Sequence, residues 1–275
     1  MTRRANTRTA AVGVWQAYLT TRAARTRDSR FLVQGARPIS RALECRWPLE
    51  TLVYRLGDPE PSPWARQLLD SSGVPSVGLV PEVMAELAEP SEPVPELVAV
   101  AVTRRPELED FAPGTAADPA TVVVIDRPSS AIRLGALIRS AAAFGAGGVI
   151  VTGSGVDHFD PQSVRASDGA LFAVPVLRTS GPAQVAAFRD RQLARGIATR
   201  IVGSDDRGGG LALDDAKLDG GTVLVLGDES ESLAPAWRQV CDELVCIPTD
   251  GTLGAPSAAA VALYEISRQR RALPL

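Results

Sequence analysis

This 275-residue chain is poor in the side chains that most enzymes use for acid–base or metal chemistry: it has one histidine, His158, one lysine, Lys217, and three cysteines. Cys45, Cys241 and Cys246 show neither Cys-x-x-Cys spacing nor a neighbouring histidine, which argues against a disulfide framework and against a zinc site; no metal is expected. Three scattered thiols read as core residues of a protein in a reducing, cytoplasmic setting. Lys217 lacks the Gly-x-x-x-x-Gly-Lys-Ser/Thr context, which excludes P-loop phosphoryl transfer. His158, with Asp157 and Asp160 beside it, reads as a polar loop residue more readily than as a general base, because no Gly-x-Ser-x-Gly elbow or reactive thiol accompanies it. No apolar run approaches the roughly 18 residues that cross a bilayer, so no membrane partner is expected. The apolar stretch at 10–19 is broken by Gln16 and followed by Arg22 and Arg25, without a cleavage site, so export is not expected either.

What is present is an ordinary globular composition, 45% hydrophobic, and enough length for two domains. The net charge of -3 hides a basic beginning. Arg3, Arg4, Arg8, Arg22, Arg25, Arg27, Arg30, Arg37, Arg41 and Arg46 face only Asp28 and Glu44 in that stretch. Guanidinium groups pair well with phosphate oxygens, so the cluster suits sequence-independent contacts to nucleic acid, and equally a solvated helix face.

The Pro-, Ala- and acid-rich stretch 103–120 has no hydrophobic period and reads as a linker between a small α/β domain, 1–102, and a second domain, 121–275. In the first, helices are expected at 12–24, 38–44, 63–70 and 81–88, with strands at 52–54, 76–80 and 97–102; Pro38, Pro63 and Pro81 suit first-turn positions. The second opens with a β-branched run from Thr121 that suits a strand buried on both faces. A helix at 134–144 ending at Gly145 and a strand from Gly148 complete a parallel crossover unit. Further helices at 161–169, 182–195, 235–241 and 256–270 alternate with strands at 172–177, 198–202, 222–226 and 244–247, a parallel α/β sheet.

In such a sheet ligands bind outside the carboxyl ends of the strands. Two turns lie there, one after Leu226 with Gly227, Asp228 and Glu229, the other after Cys246 with Ile247 and Pro248. A dinucleotide fingerprint is absent, since Gly153-Ser-Gly155 lacks its third glycine and Gly208 to Gly210 do not open a helix. That leaves a nicotinamide-dependent dehydrogenase far behind.

Taken together, Pro128…Gly135-x-x-x-Arg139, Leu224-Val-Leu-Gly-Asp-Glu229-x-x-x-Leu233 and Ile247-Pro…Leu253…Ala-Ala-Ala-Val-Ala-Leu-Tyr-Glu265 resemble the three motifs of the SpoU/TrmH-type RNA ribose 2′-O-methyltransferases of the SPOUT superfamily. Trp15-Gln-Ala and Ser163-Val-Arg-Ala-Ser are most similar to the avilamycin-resistance type, which acts on 23S rRNA. The run Phe31-Leu-Val-Gln-Gly-Ala-Arg-Pro-Ile-Ser resembles the ribosomal-protein-like RNA-binding domain of such enzymes. The resemblance implies a trefoil-knotted parallel sheet and a homodimer that completes the active site across its interface. It also implies S-adenosylmethionine (AdoMet) held by loop backbone, with Gly203, Leu226, Gly227, Ile247, Pro248, Leu253 and Ala258 lining the pocket. Arg139 matches the arginine of the first motif and Glu229 the glutamate of the second. Thr252 keeps a hydroxyl where the pattern has serine, while Arg133 and Gly254 stand where it has asparagine. A guanidinium, with a pKa above about 12, is a poor base and a good phosphate clamp, so Arg139 is assigned to orientation and charge stabilisation. Glu229 is expected to order the pocket, and Arg30, Arg37, Arg133 and Arg165 to contact RNA. Two functions fit: methylation of RNA, ribosomal rather than transfer, and a non-catalytic RNA-binding or regulatory relative that keeps the fold.

Overall fold

Short β-branched runs become strands and proline-led segments become helices in two separate units of the computed structural model, Met1–Arg104 with Asp157–Ala173, and Arg105–Val156 with Val174–Leu275. The described residues are 2–5 (backbone only), 10–89, 92–205, 209–227, 233–251 and 253–271.

The first unit runs β1 (Thr2–Ala5), α1 (Ala10–Thr20), α2 (Arg22–Asp28), β2 (Arg30–Gln34), α3 (Ala36–Glu44), β3 (Leu49–Arg55), α4 (Pro63–Ser71), β4 (Ser76–Leu79), α5 (Pro81–Ala85) and β5 (Leu97–Val102). Its sheet has the order β1-β4-β3-β5-β2, with β5 antiparallel to both β3 and β2. Pro63 and Pro81 do open helices, and the Ser62 side chain caps α4 by accepting from the Ala65 amide at 3.2 Å. The single helix expected at 12–24 is two, because Thr21 is extended (φ -130°, ψ 113°).

The second unit contains β6 (Thr121–Ile125), α6 (Ala131–Ala143) and β7 (Gly148–Thr152). The chain then enters the first unit with α7 (Pro161–Ala166) and returns for β8 (Val176–Thr179), α8 (Pro182–Ala194), β9 (Thr199–Ser204), β10 (Leu211–Ala212), β11 (Gly221–Leu226), α9 (Pro235–Val240), β12 (Glu243–Cys246) and α10 (Ala255–Arg271). Among the described residues the sheet is parallel throughout, in the order β10-β12-β9-β11-β6-β7-β8. Every residue of β6, β7 and β11 is buried, as their unbroken apolar runs require.

Two segments differ from the expected organisation. Residues 105–120 are no free linker: Leu108 is buried in the core of the second unit with Ile150, Val223 and Trp237, and its carbonyl accepts from Arg191 Nη2 at 2.6 Å while Pro113 O accepts from Gln192 Nε2 at 2.8 Å. Proline and acidic side chains mask two anchoring hydrophobics, Leu108 and Phe111, too few to show a period. Residues 157–173, expected in the second domain, are held in the first. Phe31 meets Phe159 at 4.6 Å and Phe172 at 6.3 Å between ring centroids, and Trp47 meets Phe172 edge-on at 5.2 Å. Ala170–Phe172 is therefore a 3₁₀ turn, and the strand expected from 172 begins only at Val176.

Candidate functional site

Because the strands of the second sheet are parallel, the ends of β6, β7, β9, β11 and β12 all reach the same edge. Backbone hydrogen bonds continue past the strands and stitch that edge: Asp126 N donates to Leu226 O, Asp205 N to Val245 O and Leu213 N to Cys246 O, each at 2.9 Å. The chain just beyond, at Gly227, Ile247 and Pro248, is half-buried or exposed. Gly203 and Leu226 lie on neighbouring strands one register apart, Val225 pairing with Gly203 and Leu226 with Ser204. Both are buried. The place of a side chain on Gly203 is taken by its neighbours, since a Cβ there would lie 2.6 Å from Leu233 Cδ1, 2.8 Å from Leu244 Cδ2 and 2.9 Å from Cys241 Sγ. Gly203 can therefore meet a ligand only through its backbone.

A cleft of about 330 Å³ lies beside these strand ends, walled by Leu213 and Asp214, by Ile247 and Pro248, and by Val261, Tyr264 and Glu265 of α10. Its size suits a small molecule. Of the residues expected to bind cofactor, Ile247 and Pro248 line it; the others do not. Glu265 is fixed by Arg268 (2.8 and 2.6 Å) and by Gln269 Nε2 (2.7 Å), and the Arg268 hydrogen bonds draw its carboxyl below the ordinary range. Gln269 also holds the backbone of Ala216 and Leu218, tying α10 to the segment that carries Asp214. Leu253 is exposed and Ala258 half-buried at the start of α10, where Gly254 O accepts from the Ser257 and Ala258 amides at 2.9 and 3.0 Å.

α6 opens at the same edge, directly after β6. The Ser130 hydroxyl caps it, accepting from the Arg133 amide at 3.4 Å. Arg133 and Arg139 are both exposed. Six residues of helix set them about 120° apart, so they do not share a face; Arg139 instead shares its stripe with Ile132, which is 54% exposed. Gly135 is buried in this helix, which packs against α10. Glu229 and Thr252 lie outside the described residues.

Three polar arrangements at this edge escaped the sequence reading. Asp126, buried, accepts from Thr152 Oγ1 at 2.5 Å and from Arg127 Nε at 3.0 Å, while the Arg127 amide donates to Thr152 Oγ1 and its backbone takes φ 44°. Arg178 donates to the carbonyls of Gly153 and Val156. Arg238 of α9 pairs with Asp205, whose side chain is fully buried, and donates from Nε to Leu233 O at 3.3 Å. An acid directly after a buried strand was the available signal for Asp126 and Asp205; their arginine partners are remote in sequence and carried none.

In the first unit the arginines proposed for RNA all meet carboxylates. Arg30 pairs with Glu50 (2.5 Å), Arg37 with Asp168 (2.7 Å), and Arg165 with Glu89 (3.2 Å) and Glu92 (2.7 Å). The Arg37 side chain is 76% exposed, and such surface pairs are weak enough to yield to a phosphate. Arg165 is more committed, because it meets two carboxylates, one of them buried; burial pushes the Glu89 carboxyl up despite the guanidinium. Arg25, counted in the basic cluster, is a core residue, bonded to Asp157 (3.0 Å), Asp160 (3.2 Å) and Tyr18 O (2.8 Å). His158 is no solvated loop residue either: it is buried against the Phe159 ring at 4.1 Å, and its two acidic neighbours serve Arg25. The three cysteines are half-buried free thiols, and burial pushes Cys241 up to about 12.

Comparison with known proteins shows the family. Residues 9–99 match the model of the SpoU L30e-like domain, and 120–264 that of the SpoU rRNA Methylase family. A 23S rRNA (uridine(2479)-2'-O)-methyltransferase of Streptomyces viridochromogenes is 40% identical over 98% of this chain and 93% of its own. The crystal structure of the SpoU methyltransferase AviRb from the same organism, in complex with AdoMet, superimposes with a TM-score of 0.90 at 39% identity, covering 97% of this chain and all of that one. An RNA 2'-O ribose methyltransferase of known structure is 28% identical, with a TM-score of 0.78 over 98% of this chain.

Proposed function

Since the chain belongs to the SpoU rRNA methylase family, with its amino-terminal L30e-like domain and SPOUT methyltransferase fold, we propose that it methylates a ribose 2′-hydroxyl of 23S rRNA with AdoMet as donor. The observation that carries this reading is the meeting, at one sheet edge, of the turns at Leu226 with Gly227 and at Ile247 with Pro248, where the helix bearing Arg139 also opens.

The residues suit the donor. Gly203, Leu226, Gly227, Ile247, Pro248, Leu253 and Ala258 would hold it by apolar walls and loop backbone. Bound there, AdoMet supplies an electrophilic methyl group on a sulfonium. Arg139, exposed and permanently charged, clamps the RNA phosphate beside the target ribose, aligns the hydroxyl and stabilises the negative charge that develops on its oxygen. Arg133 adds a second phosphate contact on another face of α6, Glu229 orders the pocket, and Thr252 supplies a hydroxyl at its mouth. Arg30, Arg37 and Arg165 are assigned to RNA by exchanging carboxylate partners for phosphates. Gly254 in place of asparagine costs α10 only a few tenths of a kcal/mol at its cap, so the departure removes a side chain from the site without undoing the helix.

A second copy of the chain completes the site. Ile132, Val261 and Tyr264, 54, 41 and 53% exposed, supply the apolar surface for it on α6 and α10. The knot is part of the same proposal. Among the described residues no helix is long and apolar enough to cross a membrane. The cytoplasm is part of the proposal because the related 23S rRNA methyltransferase acts on ribosomal RNA.

Calorimetry with AdoMet, followed by transfer of a tritiated methyl group to ribosomes and to naked 23S rRNA, tests the reading. Absence of binding at millimolar AdoMet overturns it. Arg133 and Gly254 favour one other reading, a non-catalytic relative; binding without transfer would support it, and Arg133→Asn with Gly254→Asn should then restore transfer.

A further inference from the structure

We infer that Arg238 is a positioning residue for the cofactor, acting with Asp205 to set the spacing of the chain after β9 and the chain after β11. This inference rests on the methyltransferase reading of the same site.

Asp205 is the first residue beyond β9. Its amide is spent on Val245 O, which fixes its backbone to β12, and its carboxylate is wholly buried. A buried carboxylate demands a partner, and Arg238 supplies it. The same guanidinium reaches Leu233 O through Nε at 3.3 Å. Leu233 is the first described residue after Gly227, and its side chain, 2% exposed, fills the space above Gly203 that a Cβ would occupy. Leu233 is therefore held twice, by packing on β9 and by Arg238 at its carbonyl. One planar, forked cation spans both chain ends, with one side partly open to solvent (31% exposed) and the other in the core. Asp205 lies two residues beyond Gly203, and Leu233 packs on Gly203 itself, so Arg238 holds both supports of the strand end that supplies Gly203, beside Leu226 of β11, to the proposed pocket, and decides whether that end is set before the ligand arrives. A preformed site binds more tightly, because ordering is not charged against binding.

Lysine at 238 keeps the charge for Asp205 but cannot fork to Leu233 O as well. The test is calorimetric titration of AdoMet into the full chain and into Arg238→Lys and Arg238→Met, with RNA affinity measured alongside. AdoMet affinity is expected to fall roughly tenfold in Arg238→Lys, the loss of about one charge-assisted hydrogen bond, and further in Arg238→Met. RNA affinity, and the turnover number of Arg238→Lys at saturating AdoMet, should stay within about twofold, a split that general destabilisation would not produce. If Arg238→Met does not fold, Arg238→Lys decides. AdoMet binding by Arg238→Lys equal to that of the unaltered chain overturns this inference alone. Failure of the unaltered chain to bind AdoMet overturns the methyltransferase reading and this inference with it.

Discussion

Replacing Arg25 by methionine should destabilise the first unit more than any change on its surface. The Arg25 side chain is 3% exposed and that of Asp157 6%, joined at 3.0 Å, and the guanidinium also serves Asp160 and the Tyr18 carbonyl. Breaking a buried ion pair from one side leaves the other charge without compensation and costs about 3–5 kcal/mol. For a chain of this size, that lowers the melting temperature by roughly 6–20 °C. Asp157→Asn should cost less, about 1.5–3 kcal/mol, because Arg25 keeps two acceptors. The double variant should lose less than the sum. The pH dependence has a definite sign. Burial pushes the Asp157 carboxyl up, but the His158 charge, the Arg25 guanidinium and the Phe159 amide together outweigh burial and hold it below its ordinary 3.8. A depressed carboxyl contributes stability that is present above its unfolded value and is lost as pH falls through the lower folded one. Asp157→Asn should lack that acid limb. Urea unfolding, with hydrogen exchange at β2 amides to identify the unit that opens, measures all of this. An Arg25→Met protein within about 1 kcal/mol of the unaltered chain would refute the reasoning.

Arg139→Met is expected to lower kcat by roughly 100- to 1000-fold in methyl transfer, the scale of losing one charge-stabilising group, with AdoMet affinity by calorimetry unchanged. Gly203→Ala should destabilise by about 1–3 kcal/mol in urea, because the new methyl would lie within 3 Å of Leu233, Leu244 and Cys241 at once. Glu89, pushed above its ordinary 4.5 by burial despite Arg165, has the opposite sign to Asp157: its contribution is present below the unfolded value and is lost as pH rises through the folded one. The stability of the unaltered chain relative to Glu89→Gln should therefore decline across that window.

The parallel sheet was legible because its inner strands, such as Thr121–Ile125 and Gly221–Leu226, are buried on both faces and carry a continuous apolar signal. Strands β1, β2 and β10 carry no such signal. β10 is two residues long, and β2 presents only Phe31, Leu32 and Val33 between polar ends. Phe31 of β2 packs on Phe159 and Phe172, more than 120 positions away, a contact that no local pattern encodes. The same reason explains Arg25: charge counting places an arginine at the surface, and only the return of Asp157 in three dimensions buries it. At the candidate site the glycines and strand ends were legible as a motif. The polar staples were not, since Arg178 and Arg238 act on backbone carbonyls and remote acids.

The excursion of residues 157–173 bears on how this architecture can be inherited. A reading by domains would place a recombination junction near residue 104, as if the two units were cassettes. The chain passes between them three times, however, and the catalytic half encodes Phe159, Phe172 and the acids that neutralise Arg25. An amino-terminal unit exchanged alone would meet a foreign set of partners for its aromatic cluster and its buried cation. The two halves are thus bound to change together, and a fragment beginning at 121 would carry two aromatic side chains made for a core it lacks.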